Sequence, residues 1–236
     1  MKINSQKFGD FLSLINLGGD VLVTECVVRG DKDKLSITAK PAKNGFVIAH
    51  GELLGDFTEF GIHSIGNLPL FVKLVKSFTG DIEITKTASS FAITGKKVDA
   101  DIKSPAVQFV KSEPETGKYD TYKTIADGNR FTLTPLDLAE FTSYYSSFGK
   151  DVTISGDKND IKFNLTAGDD KLNLSLVVPE TIKKFKVKIS GFLTLIFGLL
   201  KDQSITVSAN DGAAAILVSA KTNEYTIDYI VAPRSK

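Results

Sequence analysis

Lys73 and Lys76 stand three residues apart in LPLFVKLVKSF (68–78), on the side of a short amphipathic segment that faces away from its apolar residues. The ordinary account of two cations on one helical face is a solvated face, and in a chain of net charge +1 the pair alone does not overturn it. Other reactive residue types are scattered. His50 and His63 fall on different strands with no ligand-spaced Cys, Asp or Glu; His63, alternating with Ile62, reads as a surface residue. Cys26 lies in the apolar run VLVTECVV and reads as a buried small hydrophobe rather than a nucleophile. As the single cysteine it excludes an intramolecular disulfide and a Cys-rich metal site. Asp99 with Asp101 and Asp169 with Asp170 read as solvated strand and turn residues. ITGKK (93–97) lacks the spacing of a phosphate-binding loop. No catalytic constellation is present, so the expectation is a protein that is not an enzyme and uses no cofactor or metal.

The elements that must position the lysines recur. Four times the sequence reads as strand, helix, strand, strand, strand. The opening strands are MKIN, FGIHSI, RFTLT and KFKVKIS. A helix follows each and stops at a Gly- or Asp-containing break: GGD, TGD, GKD and KDQ. Paired strands come next: VLVTECVVRGDKDKLSITA, IEITKTASSFAITG, VTISGDKNDIKFNL and SITVSANDGAAAILVSA. GFVIAHGEL, VDADIKSPAV, KLNLSLVV and EYTIDYIVA close the units. Between the second and third units, SEPETGKYDTYKTIADGN is polar, carries Pro and Gly, and lacks apolar periodicity until Ile125. The expected organisation is therefore α+β: residues 1–111 and 130–236 form two similar domains of two β-α-β-β-β units each, joined by a connector over 112–129.

At about 100° per residue the helices have distinct faces. In the first, Phe8, Phe11, Leu12, Leu14 and Ile15 share the apolar side, and Gln6, Gly9, Ser13 and Asn16 the other. In the second, Leu68, Phe71, Val72, Leu74, Val75 and Phe78 oppose Lys73, Lys76 and Ser77, with Pro69 suited to the first turn. The third sets Leu138, Phe141, Tyr144, Tyr145 and Phe148 against Ala139, Thr142, Ser143 and Ser146, with Glu140 at the border. The fourth is apolar around most of its circumference, leaving Ser190, Thr194 and Gly198 as a narrow strip, and reads as a helix buried in its own domain.

Bulk numbers bound the class. Hydrophobic and charged fractions of 42% and 24% belong to a folded globular protein rather than a disordered one. The most apolar run, Phe192 to Leu200, is too short for a membrane span, and MKINSQKFGDF has no signal-peptide pattern; an intracellular protein without a membrane partner is expected. RGD at 29–31 opens a charged turn between strands rather than an adhesion motif.

Four such units in two linked halves resemble the DNA sliding clamps, the ring family that includes PCNA and the clamps of tailed phages. DLAEFTSYYSSFGKDVTIS (137–155) looks like the segment opening the second domain of PCNA-type clamps, and YIVAPR (229–234) is similar to their C-terminal ending. EFGIHSIGNLPLFVKLVKSF (59–78) resembles the matching stretch of phage clamps. The resemblance covers essentially the whole chain and implies the clamp fold: a homotrimeric ring with helices lining the hole and sheets outside. It implies a polymerase processivity factor that encircles duplex DNA and serves a DNA polymerase and a clamp loader. Lys73 and Lys76 would face DNA, with Lys7, Lys150 and Lys201 as further members of that surface. Rings of this family close through edge strands, here Val107, Gln108, Phe109 and Val110 against Lys171, Leu172, Asn173, Leu174, Ser175, Leu176 and Val177 of the next subunit. A partner-peptide pocket would use Ile230, Val231, Ala232 and Pro233. The chain departs from the pattern where the third helix carries Glu140, Ser143 and Ser146 in place of basic residues. The alternative from another class is a structural or scaffold protein, possibly viral, that does not encircle DNA.

Overall fold

The computed structural model describes residues 1–18, 22–42, 47–57, 60–87, 89–115, 117–145, 151–167 and 169–233. Two compact units divide the chain: Met1–Gly45, Ala49–Pro114 and Thr222–Ile227 make the first; Phe46–Ile48, Glu115–Lys221 and Asp228–Lys236 make the second.

The first unit opens with β1 (Lys2–Asn4) and α1 (Ser5–Asn16). Then come β2 (Cys26–Gly30), β3 (Lys34–Ala39) and β4 (Val47–Leu54), the last of which lies in this unit from Ala49 on. β5 (Ile62–Ile65) and α2 (Leu68–Ser77) begin the second repeat, which β6 (Asp81–Lys86), β7 (Ser90–Thr94) and β8 (Asp99–Lys103) complete. The two repeats exchange their first strands. β1 pairs antiparallel with β6 (Ile3 opposite Ile82), giving the order β1-β6-β7-β8, and β5 pairs with β2 (Ile65 opposite Cys26), giving β5-β2-β3-β4. Neither repeat can complete its sheet without the other, so the duplication is a condition of the fold.

Local signals explain the helices. Asn4 caps α1 by accepting from the Lys7 amide at 3.1 Å, and Asn67 caps α2 by accepting from Leu70 at the same distance. Pro69 sits in the first turn, where its missing N–H has no partner to lose. Phe8, Phe11, Leu12 and Ile15 are fully buried, as are Leu68 and Val75, and each large side chain contributes on the order of 1.5–3 kcal/mol by leaving water.

The second unit repeats the exchange. β9 (Asn129–Leu133) and α4 (Pro135–Tyr145) precede two long strands, β10 (Asp151–Ala167) and β11 (Asp170–Ser190). α5 (Leu193–Leu199), β12 (Ile205–Ala209), β13 (Ile216–Lys221) and β14 (Tyr225–Val231) follow. β9 pairs with β12 (Leu133 opposite Ile205) in the order β14-β13-β12-β9. β10 and β11 pair along two stretches: Asp151–Gly156 against Phe185–Ser190, and Asp160–Ala167 against Asp170–Val177. Between the stretches the register shifts and Lys158 takes a φ of 58°, at the GDKND segment where the sequence predicts a turn. Val152 and Ile154 on one side of that break and Ile161, Phe163 and Leu165 on the other are all buried. The buried parity changes from even to odd there, as an irregularity that keeps one face apolar requires. Thr134 and Asp137 bond reciprocally at the start of α4, the Thr134 amide and hydroxyl each donating to Asp137 Oδ2 at 2.7 Å.

The structure corrects several expectations. Residues 107–109 form a 3-10 turn, not a strand, and the edge strand of that sheet is β8, which ends at Lys103. The cause is local: Ser104 donates to the Ser64 carbonyl at 2.6 Å, and Pro105, packed against Gly66, has no N–H for a ladder. His63 is buried rather than on the surface. Gly9 is buried although the helical wheel places it on the outer side of α1, and Tyr144, placed on the apolar side of α4, is 48% exposed. The segment read as a connector, 112–129, holds a helix, α3 (Lys118–Ala126), although apolar periodicity is lacking there until Ile125. Phe148, Lys150 and Arg234 lie outside the described residues.

Candidate nucleic-acid interface

α1 and α2 pack side by side, with Phe8 meeting Phe71 edge-on at 6.3 Å between ring centroids. Their approach sets the lysines. A Cβ on Gly9 would lie 2.5 Å from Lys76 Cγ, so the missing side chain on α1 makes room for the Lys76 stem to cross it. The ammonium then reaches Asp10, with Nζ 2.8 Å from Oδ1. Gln6 Nε2 donates to both oxygens of the same carboxylate at 2.9 and 2.8 Å. Lys73, one turn back on α2, is exposed and forms no ion pair among the described residues. The two lysines singled out by sequence therefore share a helix face but differ in charge compensation. Asp10 has no conspicuous spacing to Lys76 in sequence; the i, i+4 pairing of Gln6 with Asp10 is the signal that would find it.

The other expected members of this surface are distributed differently. Lys7 Nζ lies 3.7 Å from Glu224 Oε1, a partly exposed pair, and Lys201 is exposed just after α5. On α4 the exposed residues include Leu136, Ala139, Glu140, Ser143 and Tyr144, none of them basic, and on α5 Gly198 is exposed. Ser190 and Thr194, read as a polar strip, are buried; the Thr194 hydroxyl donates to the Gly191 carbonyl at 2.7 Å.

The residues read as a partner-peptide pocket divide between two faces of β14 and the segment after it. Ile230 joins a buried cluster with Ile48, Ala126, Ala215 and Leu217, against which Tyr119, Tyr122 and Ala232 pack. Val231 is fully buried and, by strand alternation, points to the opposite side. Pro233 is half-buried. A charge placed at Val231 would therefore damage the core rather than a pocket wall. The cluster is covered by α3, whose Tyr119, Tyr122 and Ala126 fall at i, i+3 and i+7, while Ile125 is 39% exposed. Tyrosines at helical spacing are the signal in the sequence for this helix. Asp228 fastens it: Tyr119 Oη donates to Oδ2 at 2.5 Å, Lys123 Nζ to the same oxygen at 2.8 Å, and Ser219 Oγ to Oδ1 at 2.6 Å. Burial by itself would raise the Asp228 pKa, but the hydrogen bonds from Lys123, Ser219 and Tyr119 outweigh it and hold the group below its ordinary value.

The expected subunit-contact residues also have definite places. Lys171–Val177 pairs with β10, and no second strand pairs with it among the described residues. Its side chains alternate, with Leu172, Leu174 and Leu176 half-buried and Lys171, Asn173, Ser175 and Val177 exposed; Val177 is 82% exposed. Phe109 is 69% exposed.

His63 and Cys26 are both buried. The His63 ring lies between Phe60 and Phe91, at 5.0 and 5.7 Å, and burial followed by nearby Lys86 lowers its pKa. Burial, with a lesser effect of Glu25, pushes the Cys26 thiol up. Among the described residues no cluster of three or more His, Cys, Asp or Glu could hold a metal, and no helix is long and apolar enough to cross a membrane.

No protein-family model and no curated protein matches the sequence. Solved structures do match. One is the proliferating cellular nuclear antigen of Entamoeba histolytica, at a TM-score of 0.75 and 12% identity over 99% of this chain and 98% of that one. Another is the PCNA of A. fulgidus, determined with the C-terminal region of FEN-1 bound, at a TM-score of 0.77 and 11% identity over 100% and 98%. The chain has the DNA-clamp fold, over its whole length, as the resemblance read from its repeats implies.

Proposed function

We propose that this chain is a DNA sliding clamp: three copies close into a ring around duplex DNA and tether replication proteins, a DNA polymerase first among them, after loading by a clamp loader. The observation that carries the reading is the clamp fold across the entire chain, with an exposed cation, Lys73, on the outer face of α2. In a ring whose helices line the hole, that face meets the phosphate backbone. Sparse lysines among small polar residues bind phosphates weakly and without sequence preference, which allows sliding, while enclosure supplies residence time. Closure would use the free edge at Lys171–Val177 against β8 of the next copy. Exposed apolar side chains stand on or beside these edges, Val177 at 82% and Val98, immediately before β8, at 57%; they are a liability for a monomer and useful in an assembly. The A. fulgidus clamp holds a partner segment, and a comparable role for this chain places short partner peptides beside Ile230 and Ala232. An intracellular setting follows from the same reading.

The test is topological. Protein mixed with linear duplex that is then ligated into a circle should stay bound through a high-salt wash and leave when one restriction cut opens the circle. Light scattering should give a particle of three chains. Equal retention on circular and cut DNA, or a stable monomer, overturns the proposal in favour of a scaffold that does not encircle DNA.

A further inference from the structure

α3 has features of a cover rather than of a core helix. It has nine residues, fewer than an isolated helix needs to persist in water, so its order depends on what lies beneath it. Of those residues only Ala126 is buried, and Tyr119 and Tyr122 are partly so. Its flanking backbone bonds are local: the Lys118 amide donates to Glu115 and the Thr121 amide to Gly117. Gly117, with a φ of 78°, and Gly128 stand at its two ends. What it hides is apolar: Ile48, Ala215, Leu217 and Ile230. Asp228 fastens it through Tyr119 and Lys123.

We propose that α3 is a displaceable, autoinhibitory cover. In the resting chain, residues 117–127 occupy an apolar groove on β13 and β14, and loss of the Asp228 bonds lets the helix lift and frees the groove for a partner peptide. That the freed groove serves partner peptides rests on the clamp reading above; the covering itself does not. A segment that few buried contacts hold belongs to the low-stability end of a fold and opens without global unfolding. A groove filled by its own chain binds an outside peptide more weakly, by the fraction of time it is open.

Hydrogen exchange tests the opening. In the unaltered chain the amides of residues 121–126 should exchange at least tenfold faster than those of β13 and β14, and Asp228→Asn should speed them further while leaving the strands protected. Occupancy is tested by the synthetic peptide 117–127, titrated at up to millimolar concentration and followed by NMR shifts of β13 and β14. A Tyr119→Ser/Tyr122→Ser variant should bind it on the order of tenfold or more tightly than the unaltered chain. Exchange of α3 only in concert with β13 and β14 overturns the proposal, as does equal peptide binding by the two proteins. If the double variant does not fold, the Asp228→Asn exchange pattern decides. Neither measurement uses DNA, so a failed circular-DNA retention test with an opening α3 removes the clamp reading and leaves the cover standing.

Discussion

The two helix pairs are products of the same repeated unit, and they differ most where the fold demands least. Beneath α4 and α5, Phe141, Phe163 and Phe197 form a mutual aromatic cluster, with centroids 4.9 Å apart for Phe141–Phe197 and 5.1 and 6.2 Å for the other two pairs. Beneath α1 and α2, Phe8 and Phe71 play the corresponding part, and the helices cross at a glycine. Above these cores the surfaces diverge. The first pair carries Gln6, Asp10, Lys73 and Lys76; the second offers Ala139, Glu140, Ser143 and Gly198. Buried aromatics therefore account for the shared topology, and nothing in that topology calls for cations on α2. Their presence on one pair only points to a role outside stability, and the nucleic-acid reading leans on the first unit.

The comparison is most easily broken through its cores. Phe197→Ala removes a fully buried ring from the α4–α5 cluster and should cost about 3–5 kcal/mol, read as a lowered urea midpoint of the second unit. Leu136→Ala, at an 82% exposed position on α4, should change stability by no more than about 0.5 kcal/mol. If Phe197→Ala proves as mild as Leu136→Ala, the aromatic cluster does not account for the fold of this pair.

How far these features could be read in the sequence depends on the distance over which each is determined. The four repeats and the apolar stripes of α1 and α2 are set by neighbours within a turn or a strand, and both are legible. The exchange of first strands is not, because MKIN carries no mark that its partner is β6, about eighty residues on. Gly9 looks like an outer-face residue on a helical wheel, and only the crossing of α2 shows that it is covered by a lysine stem. α3 escapes for a related reason: its covering face uses two tyrosines and an alanine, which a search for aliphatic periodicity passes over. The segment at 107–110 alternates like a strand, yet Ser104 and Pro105 end β8 before it. Within the site, Lys73 and Lys76 are legible, whereas the pairing of Asp10 with Lys76 is not, since charge compensation across two helices is a tertiary fact.

That compensation makes the two lysines unequal and sharpens the contrast. If both contributed alike to DNA, Lys73→Ala and Lys76→Ala would weaken retention by the same factor. Because Lys76 is paired with Asp10 and Lys73 is not, Lys73→Ala should have the larger effect. In salt titrations of binding to duplex DNA, losing one phosphate contact should reduce the slope of log K against log salt by about 0.9 for Lys73, and by less for Lys76. A larger loss from Lys76→Ala would mean that the α2 face is not presented to DNA as this geometry implies.

The smallest effect isolates the pair itself. Both partners are substantially exposed, with side-chain accessibilities of 36% and 52%, so the Lys76–Asp10 contact should contribute no more than about 1 kcal/mol to stability. Asp10→Asn should therefore leave the melting curve almost unchanged while releasing the Lys76 charge. DNA retention should rise modestly, and in that background Lys76→Ala should become as costly as Lys73→Ala is in the unaltered chain. A double-mutant cycle on retention then reads the coupling directly. Zero coupling would show that Asp10 does not restrain Lys76 in solution; the inequality between the two lysines would then have to come from their positions on α2 alone.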